Sequence, residues 1–220
     1  MKFTRDEIRK SMLLYAVTDQ MWLKEGETLG NVVESVLQNG ATFLQIREKD
    51  LAQDAFEEEA ERLKTLCTQH GVPFVVNDSV EIALQCDADG VHVGQSDIKG
   101  RDIRAMIGPD KILGISAGTV KEAVAAEKAG ADYIGVGAIF TTSTKKNARN
   151  MTMEQLKEIV SSVSIPVVAI GGISAENILQ LRGSGVDGVA VVSAIFAAED
   201  PGKATADLLK LAEEMVASHG

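Results

Sequence analysis

One phrase of small residues followed by a short apolar run recurs four times along this chain. ADGVHVG at 88–94 is echoed by ADYIGVG at 131–137, by GVDGVAVV at 185–192 and, more loosely, by GATFLQI at 40–46. Each copy follows a segment with the apolar spacing of a helix, and each apolar run has the length of a strand. A recurring unit of helix, small residue and strand indicates an architecture built by repetition.

The rest of the chain completes a pattern of about eight strands, each followed by a helix. Apolar runs predict strands at 13–17, 43–46, 72–76, 90–93, 112–115, 133–137, 166–170 and 188–192. Apolar spacing, caps and glycine stops predict helices at 3–12, 28–38, 52–68, 79–85, 101–107, 119–128, 152–161, 174–181 and 204–217. Alternating strands and helices indicate a parallel sheet, and eight such units suit a closed barrel.

We therefore expect an α/β protein, a single (β/α)8 TIM barrel over residues 1–220 with 1–12 as a short N-terminal helical extension. An open, doubly wound sheet is the alternative. It is disfavoured because no Gly-x-Gly-x-x-Gly turn follows the first predicted strand.

Charge and composition exclude several classes of partner. The formal net charge of −10 disfavours nucleic acid and anionic membrane surfaces. The sequence has no apolar run of membrane-spanning length and no apolar signal segment, so we expect a cytoplasmic protein. Cys67 and Cys86 lack the spacing of a metal site and are expected to be thiols of the core. Assembly into a homo-oligomer is left open.

Polar residues that follow the second predicted strand indicate a site for an anionic ligand. Active sites of such barrels lie at the carboxyl ends of the strands. Gln45, Arg47 and Lys49 alternate there, and alternate side chains of an extended segment share a face. The competing interpretation is a charged loop in which Glu48 and Asp50 form local salt bridges.

Two aspartates follow the next two strands. Asp78 comes after the third strand, beside Asn77, and Asp97 comes after the fourth. Carboxylates at neighbouring strand ends are typical Mg²⁺ ligands when phosphates and water complete the octahedron. Asp78 also fits a helix cap with Glu81 three residues later, and that interpretation is kept beside the first.

Three later loops predict a second anion site, which needs no metal. The run TTSTKK at 141–146 follows the sixth strand and offers hydroxyl and ammonium groups. Gly171-Gly172 follows the seventh strand and Val192-Ser193 the eighth, where barrels often bind phosphate with backbone N–H groups and a helix N-terminus. His92 lies inside a strand and is expected to pack in the barrel. With no evident nucleophile–histidine pair, catalysis would depend on positioning and charge stabilisation.

Taken in order, these motifs resemble the thiamine phosphate synthase family. The residues that carry the resemblance are Gln45-Ile46-Arg47 with Lys49, Asn77-Asp78, GVHVGQ at 90–95 with Asp97, Gly114-Ile115-Ser116, TSTKK at 142–146, Gly171-Gly172-Ile173 and Val192-Ser193. The resemblance implies a Mg²⁺-dependent transferase that joins hydroxymethylpyrimidine diphosphate to hydroxyethylthiazole phosphate. Its products would be thiamine phosphate and diphosphate, formed by dissociative substitution at the pyrimidine methylene.

The resemblance also implies a role for each matching residue. Contacts to the pyrimidine diphosphate would come from Gln45, Ile46, Arg47, Glu48, Lys49, Asn77, Ser116 and Lys145, and the catalytic residues among them would be Arg47, Ser116 and Lys145. Asp78 and Asp97 would bind Mg²⁺. The thiazole phosphate would be held by Thr142, Ser143, Thr144, Gly172, Val192 and Ser193.

Two other functions remain as alternatives. A related thiazole tautomerase would share the barrel without the diphosphate and metal residues, which this chain has. A non-catalytic regulator that binds thiazole or thiamine phosphate would need only the second anion site. Metal-dependent binding of a diphosphate would distinguish a synthase from both.

Overall fold

The computed structural model describes residues 3–48, 51–141 and 151–217, which form a closed barrel of eight parallel strands. The strands pair in sequence order and the eighth pairs with the first. They are β1 (Leu14–Val17), β2 (Phe43–Ile46), β3 (Phe74–Asn77), β4 (Gly90–Val93), β5 (Ile112–Ala117), β6 (Tyr133–Val136), β7 (Val167–Ile170) and β8 (Gly188–Val191). The predicted TIM-barrel fold is confirmed.

Helices of the described residues surround the barrel. They are α1 (Arg5–Ser11), which precedes the first strand, and α2 (Leu29–Gln38), α3 (Gln53–His70), α4 (Val80–Gln85), α5 (Ile103–Ile107), α6 (Val120–Lys128), α7 (Met153–Ser161), α8 (Ser193–Phe196) and α9 (Pro201–Val216). None of the helices in these residues is long and apolar enough to span a membrane.

Side-chain alternation divides the core into two layers. Tyr15, Phe43 and Tyr133 belong to a cluster inside the barrel, whereas Leu14 and Leu44 pack in the layer between the strands and the helices. Successive residues of a strand point to opposite faces, and both faces are covered here. This explains why the strands read as continuous apolar runs rather than as alternating ones.

The repeated phrase forms the same hydrogen-bonded clamp in all four copies. In each clamp, the residue directly before an even-numbered strand is bonded twice to one residue of the preceding strand. Its side chain accepts from the backbone N–H of that partner, and its own backbone N–H donates to the partner's C=O. The pairs are Thr42 with Leu14, Asp89 with Phe74, Asp132 with Leu113 and Asp187 with Val167, with side-chain bonds of 2.8–2.9 Å. These four amino-end clamps join the strands in pairs at the end of the barrel opposite the predicted site.

Three of the amino-end clamps are also ion pairs. Lys64 of α3 lies 2.8 Å from Asp89, Arg104 of α5 lies 2.6 Å from Asp132, and Arg9 of α1 lies 2.5 Å from Asp187. Each of these ion pairs ties a helix to the strands. A carboxylate that accepts a backbone N–H and faces a cation satisfies its charge and its hydrogen bonds together.

The structure corrects one predicted helix. Residues 174–181 were expected to be helical, but only Ile178–Leu181 forms a short 3-10 turn. Asn177 binds the backbone on both sides of the turn, because its Oδ1 accepts from the Ser174 N–H and its Nδ2 donates to the Gly172 C=O. Such side-chain bonds compete with helix formation. The loop after β7 therefore presents no α-helix N-terminus to a ligand.

Several boundaries also differ from the sequence prediction. β3 begins at Phe74, because the Val72 N–H donates to the Cys67 C=O and closes the end of α3. β5 continues to Ala117, which places Ser116 inside the strand rather than after it.

The C-terminal helix α9 begins at Pro201, three residues earlier than predicted. Asp200 caps it by accepting from the Lys203 N–H, and proline suits the first turn of a helix. Cys67 and Cys86 are buried free thiols, as expected.

Candidate active site

Two carboxyl groups meet at the carboxyl end of the barrel. Asp78 follows β3, and Asp97 lies in the turn after the neighbouring strand β4. Partial burial raises the pKa of Asp78, and the charge of Asp97 and a hydrogen bond between the two carboxyl groups raise it further. Two carboxylates this close repel each other, so the pair favours a proton or a cation between them.

The local backbone holds this pair in place. Asp78 has φ of 62°, a left-handed conformation that is uncommon outside glycine. Its N–H donates to the His92 C=O at 2.8 Å, and Asn77 Nδ2 donates to Asp78 Oδ2 at 2.7 Å. Asp97 Oδ2 accepts from the Gly94 N–H at 2.9 Å. Backbone strain that is fixed by such bonds is concentrated at functional sites.

The donor set of this pair fits a hard divalent cation. Within residues 3–48, 51–141 and 151–217, no group of three or more His, Cys, Asp or Glu side chains is arranged to hold a metal. Mg²⁺ is commonly bound by one or two carboxylates, with water and substrate phosphates in its other positions. Asp78 and Asp97 therefore suit Mg²⁺ that is bound together with a phosphorylated ligand.

Arg47 and Glu48 follow β2 and have different surroundings. The positive charge of Arg47 opposes the upward shift in the pKa of both Asp78 and Glu48, so the guanidinium lies near both carboxyl groups. Glu48 is buried, and its oxygens accept from the Thr18 hydroxyl at 2.6 Å and the Gln20 N–H at 3.0 Å. Burial raises the pKa of Glu48 despite these bonds. The Glu48 side chain thus ties the loop after β1 to β2, which leaves its backbone for any ligand contact.

A cavity of about 410 Å³ lies beside the carboxyl pair. Its lining residues are Glu48, Phe56, Asn77, Asp78, Ser79, Val80, Glu81 and Arg101. The sequence analysis did not predict Arg101 as part of the site. Its position could have indicated this role, because Arg101 is a basic residue in the loop that follows β4, four positions after Asp97.

Gln45 and Ser116 lie at the two ends of a series of hydrogen-bonded polar side chains inside the barrel. Gln45 Nε2 donates to the Tyr15 hydroxyl at 3.3 Å, and Ser116 Oγ lies 3.0 Å from His92 Nε2. His92 Nδ1 lies 3.0 Å from the Tyr133 hydroxyl. The prediction that His92 packs in the barrel is confirmed.

The two tyrosines were not predicted as part of the site. Tyr15 and Tyr133 are fully buried, and their hydroxyls lie 2.8 Å apart. A usable signal was present in the sequence, because a buried tyrosine hydroxyl requires a hydrogen-bond partner.

On the other side of the barrel mouth, the loop after β6 begins against the end of β7. The Phe140 N–H donates to the Gly171 C=O at 3.0 Å. Gly172 has φ of 67°, and a Cβ there would lie 2.5 Å from the Thr141 oxygen and 2.8 Å from the Phe140 oxygen. The start of the predicted hydroxyl and lysine loop therefore contacts the glycine pair after β7.

Two predicted contact residues have side chains that are engaged in packing. Ile46 is fully buried in the layer between the strands and the helices, and Val192 packs against the cluster inside the barrel. Any ligand contact from Ile46 or Val192 is expected to come from the backbone. Ser193 is exposed at the start of α8.

Some of the predicted site lies outside the described residues. This applies to Lys49, Thr142, Ser143, Thr144 and Lys145. Their assigned contacts stay predictions from the sequence.

Comparison with known sequences assigns a family. A sequence model described as thiamine monophosphate synthase matches residues 14–195. Thiamine-phosphate synthase of Ruminiclostridium cellulolyticum is 49% identical over 198 residues, which cover 90% of this chain and 94% of that protein. The protein of the same name from Methanobrevibacter smithii is 48% identical over 197 residues, covering 90% and 93%.

Solved structures agree with the sequences. Thiamine phosphate pyrophosphorylase from Pyrococcus furiosus superimposes with a TM-score of 0.86 at 40% identity, over 94% of this chain and 98% of that one. Geranylgeranylglyceryl phosphate synthase from Thermoplasma acidophilum has a TM-score of 0.69 at 15% identity, which shows a shared fold alone. The resemblance found in the sequence is thus confirmed: the chain belongs to the thiamine monophosphate synthase family.

Proposed function

We propose that this enzyme condenses hydroxymethylpyrimidine diphosphate with hydroxyethylthiazole phosphate to give thiamine phosphate and diphosphate. One observation carries the proposal beyond family membership. The carboxyl pair Asp78–Asp97 lies at the end of the barrel where the chain also brings Arg47 and Asn77 together. A diphosphate needs a cation-binding group and positive charge at the same place.

The β2–β5 side of the barrel mouth would bind the pyrimidine diphosphate. Arg47 would pair with diphosphate oxygens, because its charge lies close to the carboxyl pair. Gln45 and Ser116 would contact the ring from the barrel interior. Lys49 and Lys145 would add positive charge, as their positions in the family motif imply.

Asp78 and Asp97 would hold Mg²⁺ at this side of the mouth. When bound, the ion would neutralise charge on the diphosphate and make it a better leaving group.

The β6–β8 side would bind the thiazole phosphate. Gly172 supplies backbone where a side chain would collide with the Phe140 and Thr141 carbonyl groups. Ser193 offers an exposed hydroxyl, and Thr142, Ser143 and Thr144 would complete the cradle. Hydroxyl and backbone N–H donors suit a phosphate without a metal.

The residues suggest a substitution in which bond breaking leads. The bond between the pyrimidine methylene and the diphosphate oxygen breaks, and its electron pair leaves with the diphosphate. Arg47 and Lys145 would stabilise the charge that grows on that oxygen. The thiazole nitrogen, positioned through its phosphate, then donates its lone pair to the methylene carbon. No protein nucleophile takes part.

An assay of thiamine phosphate formation tests the proposal. Purified enzyme is mixed with both substrates, with Mg²⁺ or with a chelator, and product is followed by chromatography. We expect product only with the metal. No product, with thiazole phosphate still bound in calorimetry, would instead support a tautomerase or a regulator.

The cellular setting belongs to the same proposal. We expect a cytoplasmic enzyme acting on small molecules, since Cys67 and Cys86 are free thiols and the net charge is −10.

A further inference from the structure

A chain of hydrogen bonds crosses the barrel interior from Gln45 to Ser116. Gln45 Nε2 donates to the Tyr15 hydroxyl at 3.3 Å, and that hydroxyl lies 2.8 Å from the hydroxyl of Tyr133. The Tyr133 hydroxyl lies 3.0 Å from His92 Nδ1, and His92 Nε2 lies 3.0 Å from Ser116 Oγ. The chain joins β1, β2, β4, β5 and β6 through side chains alone. Its two ends are residues to which we have assigned ring contacts.

The protons of this chain can be assigned one at a time. A phenol has one proton to donate, and burial raises the pKa of both Tyr15 and Tyr133, so both hydroxyls keep theirs. Tyr15 accepts from Gln45 Nε2, and among its described partners only the Tyr133 oxygen can accept the Tyr15 proton, so Tyr15 donates to Tyr133. Tyr133 accepts from Tyr15 and therefore donates to His92 Nδ1.

The same reasoning extends to the far end. A neutral imidazole whose Nδ1 accepts a hydrogen bond carries its proton on Nε2. That N–H donates to Ser116 Oγ. The proton of the Ser116 hydroxyl is then free to be donated to another acceptor. Ser116 is half-buried near the carboxyl end of β5, the end of the barrel that carries the candidate site.

We propose that this chain is polarised from Gln45 to Ser116, so that Gln45 presents its carbonyl as an acceptor and Ser116 presents its hydroxyl as a donor to the bound ring. Tyr15, Tyr133 and His92 are positioning residues that fix this pattern. The pattern selects a ring with an amino group on one side and an acceptor nitrogen on the other, as an aminopyrimidine has. The identity of that ring rests on the proposed function, whereas the polarity of the chain does not.

Two glycines in neighbouring strands make room for the chain. A Cβ on Gly114 would collide with the Tyr133 ring and hydroxyl and would lie 2.5 Å from His92 Nδ1. A Cβ on Gly135 would lie 3.2 Å from His92 Cε1. The interior positions beside the tyrosine and the histidine are thus kept empty of side chains, which lets the polar groups meet at hydrogen-bonding distance.

The tautomer of His92 in the free enzyme is the first test. Nitrogen-15 NMR of the imidazole groups separates the Nε2–H, Nδ1–H and doubly protonated forms. The sequence has three histidines, so the variants His70→Gln and His219→Gln identify the His92 signals by elimination. We expect the Nε2–H form near pH 7. The Nδ1–H or the doubly protonated form would overturn the proposed polarity, whatever the enzyme catalyses.

Substrate discrimination is the second test. Tyr133→Phe removes the proton that His92 Nδ1 accepts, so the imidazole can change tautomer and the Ser116 hydroxyl can turn towards it. One uncharged hydrogen bond corresponds to a change of about tenfold. We therefore expect the preference for the aminopyrimidine diphosphate over its 4-oxo analogue to fall about tenfold, with thiazole phosphate binding unchanged.

Phe43→Leu is the matched control for the second test. Phe43 packs against both tyrosine rings, with centroids 4.5 and 5.6 Å away, and takes no part in the hydrogen bonds. A purely structural role for Tyr133 predicts the same loss of discrimination in both variants, and that result would count against the proposal. If Tyr133→Phe does not fold, the NMR experiment on the unaltered barrel still decides it.

Discussion

At the scale of single residues, the carboxyl pair carries the proposed metal chemistry. Asp78→Asn keeps the shape of the side chain and removes one negative charge next to Asp97. We expect the Mg²⁺ concentration for half-maximal activity to rise and turnover to fall on the order of 10²-fold, because charge on the leaving diphosphate is less well neutralised. Steady-state assays over a range of Mg²⁺ concentrations measure both effects.

The control for this variant is Glu25→Gln, which removes the same charge from an exposed loop. Thiazole phosphate binding, measured by calorimetry, is expected to stay the same in both variants. An unchanged Mg²⁺ requirement in Asp78→Asn would mean that Asp78 is not a metal ligand.

Gly172 provides a second prediction at this scale. Its φ of 67° alone disfavours alanine by about 1–2 kcal/mol. An added Cβ would also press on the carbonyl groups of Phe140 and Thr141. We expect Gly172→Ala to lower the unfolding free energy and to raise KM for thiazole phosphate, because the loop after β6 must move away.

Gly183→Ala separates these two effects. Gly183 has φ of 69°, and nothing lies within 4 Å of an added Cβ. It should therefore show the backbone cost without the change in KM. Equal KM values in both variants would argue against a phosphate cradle at Gly172.

At the scale of secondary-structure elements, the amino-end clamps hold the barrel together away from the site. Asp132→Ala removes the acceptor for the Leu113 N–H and the partner of Arg104. The Leu113 N–H then lacks an acceptor, and the Arg104 charge loses its carboxylate while its bonds to backbone carbonyl groups remain, which should cost about 2–4 kcal/mol. Chemical denaturation measures this loss, and kcat per folded molecule should not change.

Asp207→Ala serves as the matched control for the clamp. Asp207 lies on the exposed face of α9 and approaches Lys210 only to 3.9 Å. Exposed pairs of this kind contribute little, so its unfolding free energy should change by about 0.5 kcal/mol or less. Comparable losses in the two variants would refute the clamp as a special feature.

The sequence predicted the barrel because strand and helix periodicity are local properties. The prediction of a helix at 174–181 was wrong. Ile178 and Leu181 have helical spacing, but the Asn177 side chain bonds to the backbone of its own turn and competes with the helix. The clamp role of Asp132 was also missed, because its partner N–H lies on another strand, 19 positions away in sequence.

The position of the carboxyl pair could also be predicted, because it follows from where the strands end. The carboxyl ends of neighbouring parallel strands lie side by side, so the proximity of Asp78 and Asp97 could be predicted from the sequence. The sequence could indicate that the hydroxyls of Tyr15 and Tyr133 need partners, but not that they pair with each other, because the pairing depends on which interior positions are left open by glycine. Glu48 was predicted to contact the pyrimidine diphosphate, and its carboxylate bonds to the loop after β1, so such a contact would come from its backbone.

At the scale of the whole molecule, the barrel mouth has two sides with different chemistry. The β2–β5 side has the carboxyl pair and, in the proposed function, would depend on a cation to accept an anion. The β6–β8 side has the glycine backbone and the Ser193 hydroxyl, and in the proposed function it would bind phosphate without a cation. Since the whole chain has a net charge of −10, two anionic substrates must each be held by local groups against the overall field.

This division predicts how each substrate stabilises the protein. A ligand at 100 times its Kd adds about 2.7 kcal/mol to the unfolding free energy, which corresponds to a rise in Tm of roughly 5–10 °C for a chain of this size. Thermal unfolding is measured with each substrate alone, in Mg²⁺ or in chelator. Thiazole phosphate should raise Tm in both buffers, because its site uses no metal. The pyrimidine diphosphate should raise Tm only with Mg²⁺, because without the cation its diphosphate meets the carboxylates of Asp78 and Asp97 directly. Metal-dependent stabilisation by both substrates would show that the two sides are not independent and that one cation site serves the whole mouth.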